Sequence, residues 1–167
     1  EAMATYKRFF TTPELSGKSF DATWEARIRY GRLLRKLGQN DAALAHYQES
    51  TALYEKQSKG ATGLELAPLY NAEMRFMMLE PLFNRYVAIK LDLVKTKKGS
   101  RANSLDEKLK MTEDVINAYT QILELKQGEW GIAALSQIGK TYSNLADTIL
   151  SAPVPPELTE DQRKIYQ

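Results

Sequence analysis

Leu135-Ser136-Gln137-Ile138-Gly139-Lys140-Thr141-Tyr142 places a large residue, an aliphatic one, a glycine and an aromatic at i, i+3, i+4 and i+7. That spacing is one face of an α-helix. A glycine in the middle of such a face lets a second helix approach closely, and the large residues fill the holes around it. Far upstream, Tyr30-Gly31 leads to Gly38 and then to Ala43 and Tyr47, four positions apart. This follows the second half of the same pattern: a helix, a glycine stop, and a partner helix with a small residue facing the first. Two partial copies imply repeated antiparallel helix pairs. One pair cannot bury its apolar face alone, so neighbours stack.

The rest of the chain is compatible with that reading. Thr12-Pro13-Glu14 and Gly17 mark a turn before the first clear helix. From Thr23 to Leu37, Trp24, Ile28, Leu34 and Leu37 recur at helical spacing, and Gly38 ends the run in the left-handed conformation that glycine tolerates. Asn40 or Asp41 is the expected cap of the next helix, which packs through Ala43, Leu44, Tyr47, Ala52 and Tyr54. A third helical stretch spans about 64–95, with a kink or a break at Pro81. Lys95 to Arg101 reads as a basic loop. Ser104-x-x-Glu107 and Thr159-x-x-Gln162 are two capping boxes, and the prolines at 153, 155 and 156 close the helix from Trp130 to Leu150. Six helices in three pairs, about 21–59, 64–127 and 130–167, are expected. The separation of Gly31 and Gly139 accommodates three units of about 36 residues, against a usual tetratricopeptide period of about 34. A non-repetitive helical bundle is the competing reading.

The two signatures resemble the tetratricopeptide (TPR) repeat, which implies an all-α fold of helix pairs stacked as a short right-handed solenoid. Glu129-Trp130, Ala133-Ala134-Leu135, Ile138-Gly139, Tyr142, Leu145-Ala146, Ala152-Pro153-Val154-Pro155, Leu158-Thr159, Gln162 and Tyr166 resemble, more narrowly, TPR proteins of the cell envelope in myxobacteria and predatory bacteria, including gliding-motility components. That resemblance covers about a quarter of the chain. It implies a helical scaffold for other envelope components, often in the periplasm. Arg27 departs from the repeat pattern, which prefers tryptophan there. The repeat-packing residues are Gly31, Gly38, Ala43, Tyr47, Leu135, Ile138, Gly139 and Tyr142.

Composition narrows the function classes. Apolar residues make up 43% and charged residues 26% of the 167, enough for an ordinary packed core. Basic and acidic residues number 23 and 21, so no polycation argues for nucleic acid. No apolar run is long enough to span a bilayer. The absence of cysteine excludes disulfides and thiolate chemistry. A start at Glu1 and an end soon after a capping box read as a fragment of a longer array, with apolar ends that favour association between copies.

Catalytic constellations are missing from the pattern. His46 is the only histidine, and its place between Ala45 and Tyr47 reads as a solvent-edge position. Glu65, Glu80, Asp92, Glu113 and Asp114 do not form a metal-ligand pattern, and no glycine loop suits a phosphate. The expectation is no enzyme, no cofactor, no metal and no small-molecule substrate. Arg29, Arg32 and Lys36 share a helix face, with Arg35 beside it. In TPR folds the first helix of each pair lines the concave groove, so the resemblance places Arg32, Arg35, Lys140 and Asn144 there. Such a groove binds a peptide carboxylate or acidic segment through charge-assisted hydrogen bonds; the competing reading is a solvated helix face. Lys95 to Arg101, with Lys108 and Lys110, forms a second basic cluster. It supports an alternative function on anionic surfaces or nucleic acid, although the loop lacks aromatics for base stacking. Met74, Met77 and Met78 offer either an adaptable contact surface or core packing.

Overall fold

The computed structural model describes residues 1–12, 19–61, 64–91, 100–152 and 159–161, with 100–103 by backbone alone. Seven α-helices are found among them: α1 (Ala2–Thr11), α2 (Phe20–Lys36), α3 (Asn40–Gln57), α4 (Ala67–Met78), α5 (Glu80–Ala88), α6 (Ser100–Leu123) and α7 (Gly128–Leu150). The described residues contain no strand. The chain divides into two compact units, Glu1–Glu80 with Tyr119–Leu135, and Pro81–Ala118 with Ser136–Gln167.

In the first unit, α2, α3 and α4 all pack against one another, and α1 lies on α2. Local chemistry sets the boundaries. Ser19 caps α2 by accepting from the Ala22 amide. At the other end Gly38, at φ +73°, reverses the chain. Its amide donates to the Arg35 carbonyl and the Gln39 amide to that of Leu34, the double bond of a Schellman cap. No side chain caps α3 at Gln39, so the expected role of Asn40 or Asp41 is not taken up. A distant residue caps α4: the Asp21 carboxylate accepts from the amides of Glu65, Leu66 and Ala67 at 3.2, 3.1 and 2.7 Å. A carboxylate is favoured at a helix N-terminus by the unpaired amides and the helix dipole. The contact holds the starts of α2 and α4 together, so the two helices run alongside each other in the same sense.

The core of this unit is built from Trp24, Ile28, Tyr30, Leu34, Ala43, Tyr47, Ala67 and Met74. Of the three grouped methionines, Met74 is fully buried, while Met77 and Met78 are partly buried against the same core. Each large apolar side chain taken from water contributes about 1.5–3 kcal/mol. Tyr6 and Phe10 of α1 meet Tyr30 with ring centroids 5.9 and 5.6 Å apart. Phe76 meets Tyr119 and Trp130 at 5.4 and 5.2 Å.

The expected middle pair is divided differently. Helix is interrupted at Leu79, so the described part of this stretch, 64–91, contains two helices. Pro81 stands in the first turn of α5, where its missing amide costs no helical hydrogen bond. Helix α6 starts at Ser100, which places Ser104 inside it rather than at its cap. The good helix formers Arg101 and Ala102 carry the helix back past the box. With α1 and the separate α5, the count exceeds the six expected. The Ala152–Pro156 turn falls largely outside the described residues, as does the helix expected from Thr159, apart from Glu160 and Asp161.

The second unit is organised around Tyr86, which is fully buried and donates from its hydroxyl to the Thr141 carbonyl at 2.7 Å. Val115 is likewise buried.

Candidate functional site

The basic face of α2 is present but spoken for. Arg29 pairs with Glu25 one turn back on the same helix. Arg32 reaches α4 and donates to Glu73 through Nε and Nη2, at 2.6 and 2.5 Å. This is the bidentate fork that suits guanidinium to carboxylate. Arg35 pairs with Glu80 at 2.6 Å and donates to the Met77 sulfur at 3.3 Å. Glu73 is only 3% exposed, whereas the Arg32 side chain is 56% exposed. Donation to the Glu73 carboxylate raises the Arg32 pKa above its ordinary value. The expected cationic groove is thus a set of ion pairs spanning α2, α4 and the start of α5. The water-facing side of Arg32 leaves donors for a ligand, but each added anion competes with a carboxylate already in place.

Tyr47 lies beneath this network. Its hydroxyl is buried without a hydrogen-bond partner among the described residues, and burial pushes its pKa up to about 12. Above its ring sits Gly31: a Cβ there would stand 2.0 Å from Tyr47 Cε1. The glycine and the aromatic are legible in the sequence as a packing pair. Ala43 is buried with them. The acids are harder to see, because Glu73 is 41 positions from Arg32.

Lys140 and Asn144, the other two groove candidates, belong to the second unit. Lys140 is exposed on α7. Asn144 makes an internal contact instead, because its Oδ1 accepts from Lys108 Nζ at 2.6 Å. The expected second basic cluster therefore loses Lys108, which is fully buried. Its ammonium also donates to the carbonyls of Tyr86 and Ile89 at 2.8 and 3.4 Å, and lies 3.8 Å from the Tyr86 ring centroid. These carbonyls close the C-terminal end of α5, where a cation is favoured. Burial pushes the Lys108 pKa down, and its three donors have three acceptors. A sequence signal exists for this. Lys108, Thr112, Val115, Tyr119 and Ile122 share one face of α6, so the lysine continues an apolar stripe. Most of the loop 95–101 lies outside the described residues.

At the C-terminal signature the expected packing is not formed among the described residues. Leu135 and Tyr142 are 57% and 56% exposed. Among the described residues nothing beyond the helix's own backbone lies within 4 Å of a Cβ built on Gly139, and Ile138 is half-buried. The helix expected to cover this face is the one from Thr159, which is described only to Asp161. Helix α7 keeps the signature's spacing, and the segment expected to partner it lies largely outside the described residues.

His46 corrects a second expectation, because it is buried rather than at a solvent edge. Its Nε2 donates to the Arg27 carbonyl at 2.9 Å, and its ring packs against Tyr30 and Phe10. Burial pushes its pKa below 6.5. Arg27 is buried too. Its guanidinium lies 5.1 and 5.4 Å from the ring centroids of Phe10 and Trp24 and donates to Ser50 at 3.2 Å. It is a flat cation set among aromatic rings. Among the described residues no group of three or more His, Asp or Glu side chains could hold a metal ion. None of their helices is long and apolar enough to cross a membrane. No family model, curated protein or solved structure matches the chain.

Proposed function

We propose that this chain is a non-enzymatic, TPR-like scaffold that binds a protein or peptide and helps assemble a larger complex in a bacterial cell envelope. The observation that carries the reading is the arrangement of α2, α3 and α4. Two antiparallel helices close on each other at Gly31 and Tyr47, and a third returns alongside the first with its start held by Asp21. This is the step that a stack of helix pairs repeats. The water-facing side of α2 and α4, with Arg29, Arg32 and Arg35, is the surface assigned to the partner. Its ion pairs favour a ligand with both charge signs over a simple polyanion, since an incoming group must replace Glu25, Glu73 or Glu80. The envelope assignment rests on the C-terminal sequence resemblance.

The test is capture from an envelope extract, followed by titration calorimetry with the purified captured protein. The expected result is a saturable isotherm that Arg35→Ala weakens at least about tenfold. That variant leaves Glu80 half in water, so the fold should be kept. An isotherm unchanged by Arg35→Ala would move the site elsewhere. Salt-sensitive retention on nucleic acid or anionic vesicles, with no protein ligand, would favour the loop at 95–101.

A further inference from the structure

Arg35 on α2 turns one arm of its guanidinium onto a sulfur. Its Nη2 holds Glu80 at 2.6 Å, while Nη1 donates to the Met77 thioether at 3.3 Å, across 42 positions of sequence. A thioether is a weak acceptor, so a charged donor aimed at one is under-used. The pair with Glu80 keeps the guanidinium in place, and only 32% of the Arg35 side chain is exposed. Close to Arg35 lies the Tyr47 hydroxyl, buried without a partner among the described residues and near enough for the arginine to act on its pKa. Met77 itself packs against the core cluster to which Tyr47 belongs. The other methionines of the first unit are placed differently. Met74, one turn earlier on α4, is fully buried and out of reach of solvent. Met78 is half-buried like Met77, but its sulfur takes only the Thr51 hydroxyl at 3.8 Å. The chain has no cysteine, so a two-electron oxidant meets no sulfur except that of methionine.

We propose that Met77 is a site of reversible oxidation: its thioether takes one oxygen from a peroxide, and Arg35 holds the sulfoxide oxygen in the folded chain. The sulfur lone pair attacks one peroxide oxygen and forms the S–O bond as the O–O bond breaks. The departing hydroxide takes the proton left on the transferred oxygen and leaves as water. Sulfur gives up two electrons and the peroxide receives them. One lone pair of the sulfur faces Arg35, so the oxidant takes the other. Rotation of the last torsion of this flexible side chain then brings the new oxygen round to the guanidinium. Methionine sulfoxide in a packed site normally destabilises, because a strong dipole replaces an apolar group and lacks a partner. At Met77 a charged donor already stands at the sulfur, and hydrogen bonds to charged groups are the strong ones. The thioether is restored by reductases of the methionine sulfoxide class. The site does not depend on a partner at the α2–α4 face and is tested on the chain alone.

The test uses the full chain carrying Met3→Leu, Met78→Leu and Met111→Leu, which leaves Met77 beside the buried Met74 as the only methionines. Mild hydrogen peroxide should add one oxygen at Met77, located by peptide mass spectrometry, with helicity unchanged. The urea midpoint of the oxidised chain should equal or exceed that of the reduced chain. With Arg35→Ala added, the same oxidation should raise the unfolding constant at least about tenfold, the loss of one hydrogen bond to a charged group. A second measurement leaves Arg35 in place. Because one lone pair is covered, one of the two sulfoxide epimers should be in excess after oxidation of the folded chain, and the excess should vanish when oxidation is done in urea. The two epimer-specific reductases read the ratio on the digested peptide. Three outcomes overturn the proposal: no oxygen at Met77 in the folded chain, a midpoint that falls equally with and without Arg35, or equal epimers from the folded chain.

Discussion

Replacing Gly31 by alanine tests the closest approach in the first unit. A Cβ added there would stand 2.0, 2.6 and 2.9 Å from Cε1, Cζ and Cδ1 of Tyr47. Ordinary carbon contacts are about 3.5–4.0 Å, so α2 and α3 must part by about 1.5 Å or the ring must leave. The ring has nowhere to go, because Tyr47 is buried on all sides. Overpacking of this severity costs about 3–4 kcal/mol, at or above the usual range. Alanine returns about 1 kcal/mol through its helix propensity. The expected net loss is about 2–3 kcal/mol, or a Tm lower by roughly 4–12 °C for a chain of this size. Trp24 and Trp130 both lie in the first unit, so tryptophan fluorescence during urea or thermal unfolding reads that unit. The decisive comparison uses a Tyr47→Val background, which removes all three crowded atoms. There Gly31→Ala should change sign and stabilise by about 0.5–1 kcal/mol. The same loss in both backgrounds, or a raised Tm in the parent chain, would refute the assignment of the cost to the ring.

Lys108→Met keeps the apolar stem but leaves the carbonyls of Tyr86 and Ile89 and the Asn144 amide without a donor; it should cost about 2–4 kcal/mol. Hydrogen exchange at the end of α5 should lose protection, and full retention would place the ammonium outside this network. Burial lowers the His46 pKa below its unfolded value near 6.5, so the unfolded chain takes up the proton first. Its contribution is complete above 6.5 and is lost as pH falls from there through the folded pKa. Urea midpoints should fall on acidification across that window, with a shallower fall in His46→Gln; equal slopes would count against a buried neutral imidazole. Gly139→Ala, measured by circular dichroism at low concentration, should raise stability by about 1 kcal/mol, since helix propensity acts there without a clash. A fall would mean that a segment packs over Gly139.

Local signals are sound where one residue's own conformation or a short period carries the information. Gly38 ends α2 because the left-handed turn depends on the backbone of that residue alone. Gly31 and Tyr47 face each other across the turn at Gly38, which holds α2 and α3 against each other. Residue type is a poor guide to where a charge ends up. Lys108 looks like part of a basic surface, although its position in the stripe with Val115, Tyr119 and Ile122 points inward. Arg27 and His46 look like ordinary polar positions, and both are enclosed by aromatic rings. Charged and polar residues are buried when partners arrive from elsewhere in the chain, and a local pattern does not name those partners.

Periodicity and backbone chemistry act within a few residues, and they are enough to specify an all-helical chain. They also specify the helix–turn–helix around Gly38, most of the apolar core of the first unit, and the helical spacing from Leu135 to Tyr142. Other features exist only once the chain has folded. Asp21 caps α4, Glu73 and Glu80 neutralise the α2 arginines, and Lys108 closes α5 from inside. Each depends on which distant groups share one small volume, and the free energy of a charge or an exposed apolar face is set by those neighbours.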